Sequence, residues 1–132
     1  MDLYQHFATD EQKETEGAWV PLSVTAKIKV ARMNNPRYRD CVKRLSAPYR
    51  VGGLEEVDIP DDVWKQITRE AVAETILTDW AGVTKDGAPL PYSKAEALAL
   101  LTARKDFYGL VVMASQNMDH YRVKAQAQLE KN

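Results

Sequence analysis

The sequence has little of what usually carries chemistry. Its 132 residues include one cysteine and two histidines. A single cysteine, Cys41, excludes an internal disulfide framework and suits a reducing compartment. His6 and His120 have no histidine or cysteine companion at i+3 or i+4, which argues against a zinc site. There is no G-x-S-x-G elbow, no phosphate-binding loop and no G-x-G-x-x-G pattern. Catalytic residues, a cofactor and a metal are therefore not expected, nor is enzymatic activity. No apolar run approaches the ~20 residues that span a bilayer, so no membrane partner is expected. The start, M-D-L-Y-Q-H-F-A-T-D-E-Q, lacks the basic and apolar regions of a secretory signal. An excess of one charge is missing too. Eighteen Lys and Arg against 19 Asp and Glu leave a net charge of -1. That excludes a protein basic enough overall to coat nucleic acid or membrane.

What is present supports one domain. With 45% hydrophobic residues, the chain can build a single core and is too short for two. Residues 1–17 read as a polar lead-in, with Leu3, Tyr4 and Phe7 available to anchor a short turn. Residues 18–132 read as a single mainly helical domain. The charge that exists is segregated. Lys27 to Arg50 is basic, broken only by Asp40, and acidic stretches flank it on both sides. Internal neutralisation between these segments is the simpler outcome, and a basic surface facing a partner the sharper one.

Hydrophobic spacing sets the expected elements. K-I-K-V alternates with period two, as a half-buried strand does, and A-W-V-P-L can pair with it as a hairpin. Pro21 confines its strand to an edge. Asn35 is a good N-cap and Pro36 a good first helical residue. Tyr38, Cys41, Val42 and Leu45 follow at helical spacing, with Pro48 expected to end that helix and R-V-G-G-L-E-E-V-D-I-P to form a loop. Cys41 then reads as a small buried hydrophobe, and Glu70 and Glu74 as surface carboxylates.

The next helix is expected over Asp62–Ala81. Its apolar stripe changes face midway: Val63, Trp64, Ile67 and Ala71 on one side, Val72, Ile76, Leu77 and Trp80 on the other. Gly82 reads as its C′ residue, K-D-G as a turn, and Ser93 with Glu96 as a capping box stapled by Tyr92. Trp80 should pack under the loop so formed. Ala97, Leu98 and Leu101 mark one more helix. From near Asp106 a long last helix is expected, carrying Phe107, Leu110, Val111, Ala114, Met118, Tyr121, Ala125 and Leu129 on one stripe. The expected fold is mainly α: four helices with a small N-terminal β-hairpin, α+β at the margin.

Four segments together resemble a known family. Phe7, Thr9, Asp10, Glu14, Glu16, Gly17 and Trp19 form F-x-T-D followed by E-x-E-G-x-W. K-I-K-V-A-R-M-N-N-P-R-Y, D-W-A-G-V-T-K-D-G-A-P-L-P-Y-S-K-A-E-A-L-A-L-L and D-F-Y-G-L-V-V-M-A-S-Q-N-M-D-H-Y-R follow in order. This order resembles the tail assembly chaperones of long-tailed bacteriophages and prophages. The resemblance implies a non-enzymatic protein of the host cytoplasm, absent from the mature virion, that binds the tape-measure protein. It also implies recruitment of the major tail-tube protein, often through a longer frameshifted form.

The apolar and basic side chains that such binding would use are Trp80, Tyr92, Val72, Ile76, Met118, Tyr121, Leu129, Arg32 and Arg37. The exposed hairpin edge and the two-faced helix predict self-association. A structural tail or head–tail joining protein is the alternative. A nucleic-acid-binding regulator, acting through Lys27–Arg50 with Tyr38 and Tyr49, is the less favoured third.

Overall fold

Ile28 and Val30 are fully buried while Lys27 points to solvent, so the alternation in K-I-K-V is realised as a strand. The computed structural model describes residues 1–51 and 58–123. Strand β1 (Ala18–Pro21) pairs antiparallel with β2 (Lys27–Val30), in a register that sets Ala18 opposite Val30 and Trp19 opposite Lys29. β1 is the outer strand, as Pro21 requires. The hairpin does not stand alone. A third strand, β3 (Leu77–Ala81), pairs antiparallel with the other side of β2 and puts Trp80 opposite Ile28.

That third strand corrects the expected helix over Asp62–Ala81. Helix α4 spans Asp61–Ala71, passes into a π-helical turn at Val72–Ile76, and the chain then extends as β3. The extra residue of a π-turn rotates the apolar stripe, which is why it changes face on a regular wheel. Both faces are buried within the fold: Ile67 and Ala71 on one, Val72, Ala73 and Ile76 on the other. Gly82 consequently follows a strand and not a helix. Its φ of 72° and its closeness to the Thr25 carbonyl admit no side chain.

The helical layer covers the inner face of the sheet. α3 (Pro36–Val51) packs on α4 and the π-turn, α5 (Lys94–Ala103) on the π-turn and α6 (Lys105–Gln116), and α6 on β2. Ile28, Val30, Val72, Ile76, Leu77, Trp80, Leu101 and Val111 meet in one core. Each large aliphatic side chain so buried contributes about 1.5–3 kcal/mol. Asn35 caps α3 by accepting from the Tyr38 N–H (3.0 Å), and Ser93 caps α5 by accepting from the Glu96 N–H (3.0 Å). Between β3 and α5, β4 (Thr84–Lys85) and β5 (Ala88–Pro89) make a small hairpin around Asp86-Gly87, both with positive φ, as K-D-G foretells.

Further corrections concern helix ends. α3 continues through Pro48 to Val51. Pro48 is exposed and lies in the last turn of the helix. The last helix stops at Gln116. Asn117 turns the chain, accepts from the Asp119 N–H (3.0 Å) and starts a single 3₁₀ turn, Met118–His120. Residues 52–57 of the expected loop, and Ala125 and Leu129 of the expected stripe, lie outside the described residues.

The first seventeen residues are docked to the body by polar contacts. Short helices α1 (Leu3–His6) and α2 (Glu11–Glu16) are capped by Asp2 and Asp10. Asp10 N–H donates to the Tyr121 carbonyl (2.8 Å), Val123 N–H to that of Ala8 (3.2 Å), and Thr78 Oγ1 to that of Glu16 (2.9 Å). Leu3, Tyr4 and Phe7 remain exposed and anchor no turn. The fold is mixed α+β, with six α-helices and two small antiparallel sheets among the described residues, and not a four-helix domain with an appended hairpin.

Candidate functional site

The apolar residues that the sequence offers to a partner are used by the fold itself. Val72, Ile76 and Tyr121 have no exposed surface, and Trp80 has 5%. Trp80 Nε1–H donates to the Leu90 carbonyl at 2.8 Å, so the indole lies under the 82–92 loop. The Tyr92 ring meets it edge-on, with centroids 5.1 Å apart at 86°. Tyr92 O–H in turn donates to the Leu77 carbonyl at 2.6 Å. Tyr92 thus staples the loop to β3. Burial, and then the Asp79 carboxylate, raises its phenol above the ordinary range. Tyr121 donates to the Val30 carbonyl at 2.9 Å, and burial raises its phenol too. A sequence pattern cannot separate a buried stripe from a docking stripe; here strand β3 and the π-turn place both faces inside.

The polar candidates lie apart from one another. Arg32 forms an ion pair with Glu14 at 2.7 Å and sits 5.9 Å from the Tyr121 ring centre. It ties α2 to the end of β2. Arg37 is exposed on α3, at a cleft of about 420 Å³ that Cys41, Arg44, Glu74 and Lys94 also line. Met118 is half-buried in the 3₁₀ turn, and Leu129 lies outside the described residues.

The cleft is chemically quiet. Cys41 Sγ–H donates to Glu74 Oε2 at 2.7 Å, and Arg44 Nη2 reaches the same oxygen at 2.5 Å. Burial, and then the Glu74 carboxylate, pushes the thiol up to about 11. The Cys41 hydrogen bond, followed by the Arg44 and Lys94 charges, lowers Glu74. At neutral pH the thiol is therefore held in its protonated form, the less nucleophilic one. Glu70 and Glu74 both line a shallow cleft with Arg44 and Lys94. Among the described residues no group of three or more His, Cys, Asp or Glu could hold a metal ion.

Uncovered surface appears elsewhere, at residues outside the expected set of binding side chains, among them Leu110, expected on the buried stripe of the last helix. Trp19 is 40% exposed on the outer face of the sheet. Lys27 Nζ lies 4.4 Å from its ring centre and Lys29 Nζ 5.9 Å. Leu22 and Val24 are exposed in the turn that joins β1 to β2. On the outer side of α6, Leu110 and Met113 are exposed at i, i+3 spacing, Met113 to 73%. Alternation in K-I-K-V carries the signal for the first surface, since it puts both lysines on the face away from Ile28 and Val30.

A sequence model of the YdaY prophage protein matches residues 33–132. The chain belongs to the YdaY prophage protein family. The matched segment takes in α3 to α6 and β3 to β5, while β1 and β2 with Trp19, Lys27 and Lys29 precede it. No curated protein and no solved structure matches the chain. No helix among the described residues of this family member is long and apolar enough to cross a membrane.

Proposed function

We propose that this prophage protein is a non-catalytic tail assembly chaperone. It works in the host cytoplasm, binds the tape-measure protein, with the tail-tube protein as a second partner, and is left out of the finished particle. The observation that carries this reading is the uncovered apolar surface. Trp19, Leu22, Val24, Leu110 and Met113 stay exposed although the core is closed without them. Leu110 and Met113 form a short row of the kind an amphipathic partner helix packs against, and an exposed methionine adapts to varied partners. The same apolar surfaces favour self-association.

The test is co-expression with the tape-measure and tail-tube proteins of the same prophage, followed by affinity capture of this chain. Retention of the tape-measure protein supports the proposal. Recovery of the chain in purified particles by mass spectrometry would instead make it a structural tail or joining protein.

A further inference from the structure

The outer face of the three-stranded sheet is an unpartnered surface with a defined chemistry. Lys27 and Lys29 flank the Trp19 indole, and no carboxylate among the described residues forms an ion pair with either lysine. Three arginines are paired within the fold: Arg32 with Glu14, Arg44 with Glu74, Arg122 with Asp119. The lysines are held in place by the strand register, which sets Lys29 beside Trp19 across the β1–β2 ladder and Lys27 beside Pro21. Asp79 of β3 stands opposite Lys29 in the register, and Lys27 lies over the indole ring. Two ammonium groups beside one carboxylate leave this face net positive, which attracts carboxylates, with apolar indole area alongside. The exposed Leu22 and Val24 extend this surface with aliphatic area at the hairpin tip.

We propose that this face docks an acidic protein segment, with carboxylates on Lys27 and Lys29 and an aliphatic side chain on Trp19. The proposal rests on the chaperone reading for the identity of its partner and deepens it by naming the surface and the chemistry of the segment. Single-stranded nucleic acid also stacks on aromatics beside lysines. Two cations and an aliphatic tip fit a peptide better, because a nucleic-acid groove tracks successive phosphates with a run of positive charge.

The test uses the full chain and immobilised overlapping peptides that span the tape-measure protein, with oligothymidylate as a second probe. Retained peptides should be acidic with interspersed aliphatic residues, and their binding should weaken as salt rises. K27E/K29E should weaken binding about tenfold or more. Trp19→Ala should also weaken it, while K105E, the same kind of charge change at the start of α6, should leave it unchanged. Unaltered far-ultraviolet circular dichroism and melting confirm that each variant is folded. Retained peptides that are basic, or peptide binding indifferent to K27E/K29E and Trp19→Ala, overturn this proposal and leave the chaperone reading standing. Oligothymidylate binding abolished by K27E/K29E, without peptide binding, overturns it in favour of a nucleic-acid platform. No tape-measure peptide retained and no tape-measure protein captured on co-expression overturns both.

Discussion

Replacing Trp80 tests the link between β3, the 82–92 loop and the core. Its indole is nearly fully buried, packs opposite Ile28 and is bonded to the Leu90 carbonyl. Truncation to alanine removes that packing and leaves a cavity that neighbours fill only in part. Large aromatic-to-alanine changes in cores cost about 3–5 kcal/mol. A domain of this size is stable by only about 5–15 kcal/mol, so the variant should lose a large share of its stability. Trp80→Phe retains a ring against Tyr92 and deletes only the Nε1–H bond and part of the volume. It should cost about 1–2 kcal/mol. A Trp80→Ala/Tyr92→Leu cycle, completed by Tyr92→Leu alone, should reveal a coupling of about 0.5–1.5 kcal/mol from the edge-on contact. Urea unfolding followed by far-ultraviolet circular dichroism measures all three quantities. A Trp80→Ala variant within about 1 kcal/mol of the parent, at unchanged dependence on urea, would refute the core assignment. If it also lost the tape-measure protein, Trp80 would be a contact residue.

Other substitutions probe separate joints. Gly82→Ala should cost more than Gly87→Ala: both have positive φ, worth about 1–3 kcal/mol of strain for alanine, but only at Gly82 does the new Cβ run into the Thr25 carbonyl. Comparison of the two unfolding curves isolates that contact. Glu14→Gln should loosen the N-terminal segment by severing its ion pair with Arg32, and should cost about 1 kcal/mol, read as faster hydrogen exchange at the Tyr121-bonded Asp10 amide. Cys41 is an acid whose folded value, about 11, lies above its ordinary 9.0. Its contribution to stability is complete below 9.0 and is lost as pH climbs towards 11. Glu74 is shifted the opposite way, so its contribution is present above the ordinary glutamate range and fades as pH falls through it. Cys41→Ala should flatten the alkaline limb of a stability–pH curve, and the native thiol should react with a disulfide reagent at pH 7.5 far more slowly than the unfolded chain.

Local chemistry was legible wherever one residue type satisfies one backbone need. Asn35, Ser93 and Asp86-Gly87 each do what their side chains or φ preferences dictate, and Pro21 lies on the edge strand. The errors arose where tertiary structure overrides local preference. I-L-T-D-W lies in register with a strong helical pattern, and only pairing with Lys27–Val30 extends it. The change of face between Ala71 and Val72 reads in sequence as a two-faced helix, but it marks a π-turn followed by a strand. Tyr121 fits the stripe of a long helix, yet it reaches the core from beyond a 3₁₀ turn because Asn117 caps that turn. The proposed docking face is hidden in the sequence for a related reason. Trp19, Lys27 and Lys29 lie up to ten residues apart in sequence, and only the β1–β2 register brings them together.

The central claim is that this prophage protein keeps a partner from aggregating by binding it. The most direct measurement is light scattering as the tape-measure protein is diluted out of denaturant into buffer with increasing amounts of the chain. The account predicts that scattering falls in proportion to added chain and is suppressed near a fixed stoichiometry. A scattering curve unchanged by the folded chain, and equal to that with an inert protein of similar size, would contradict it.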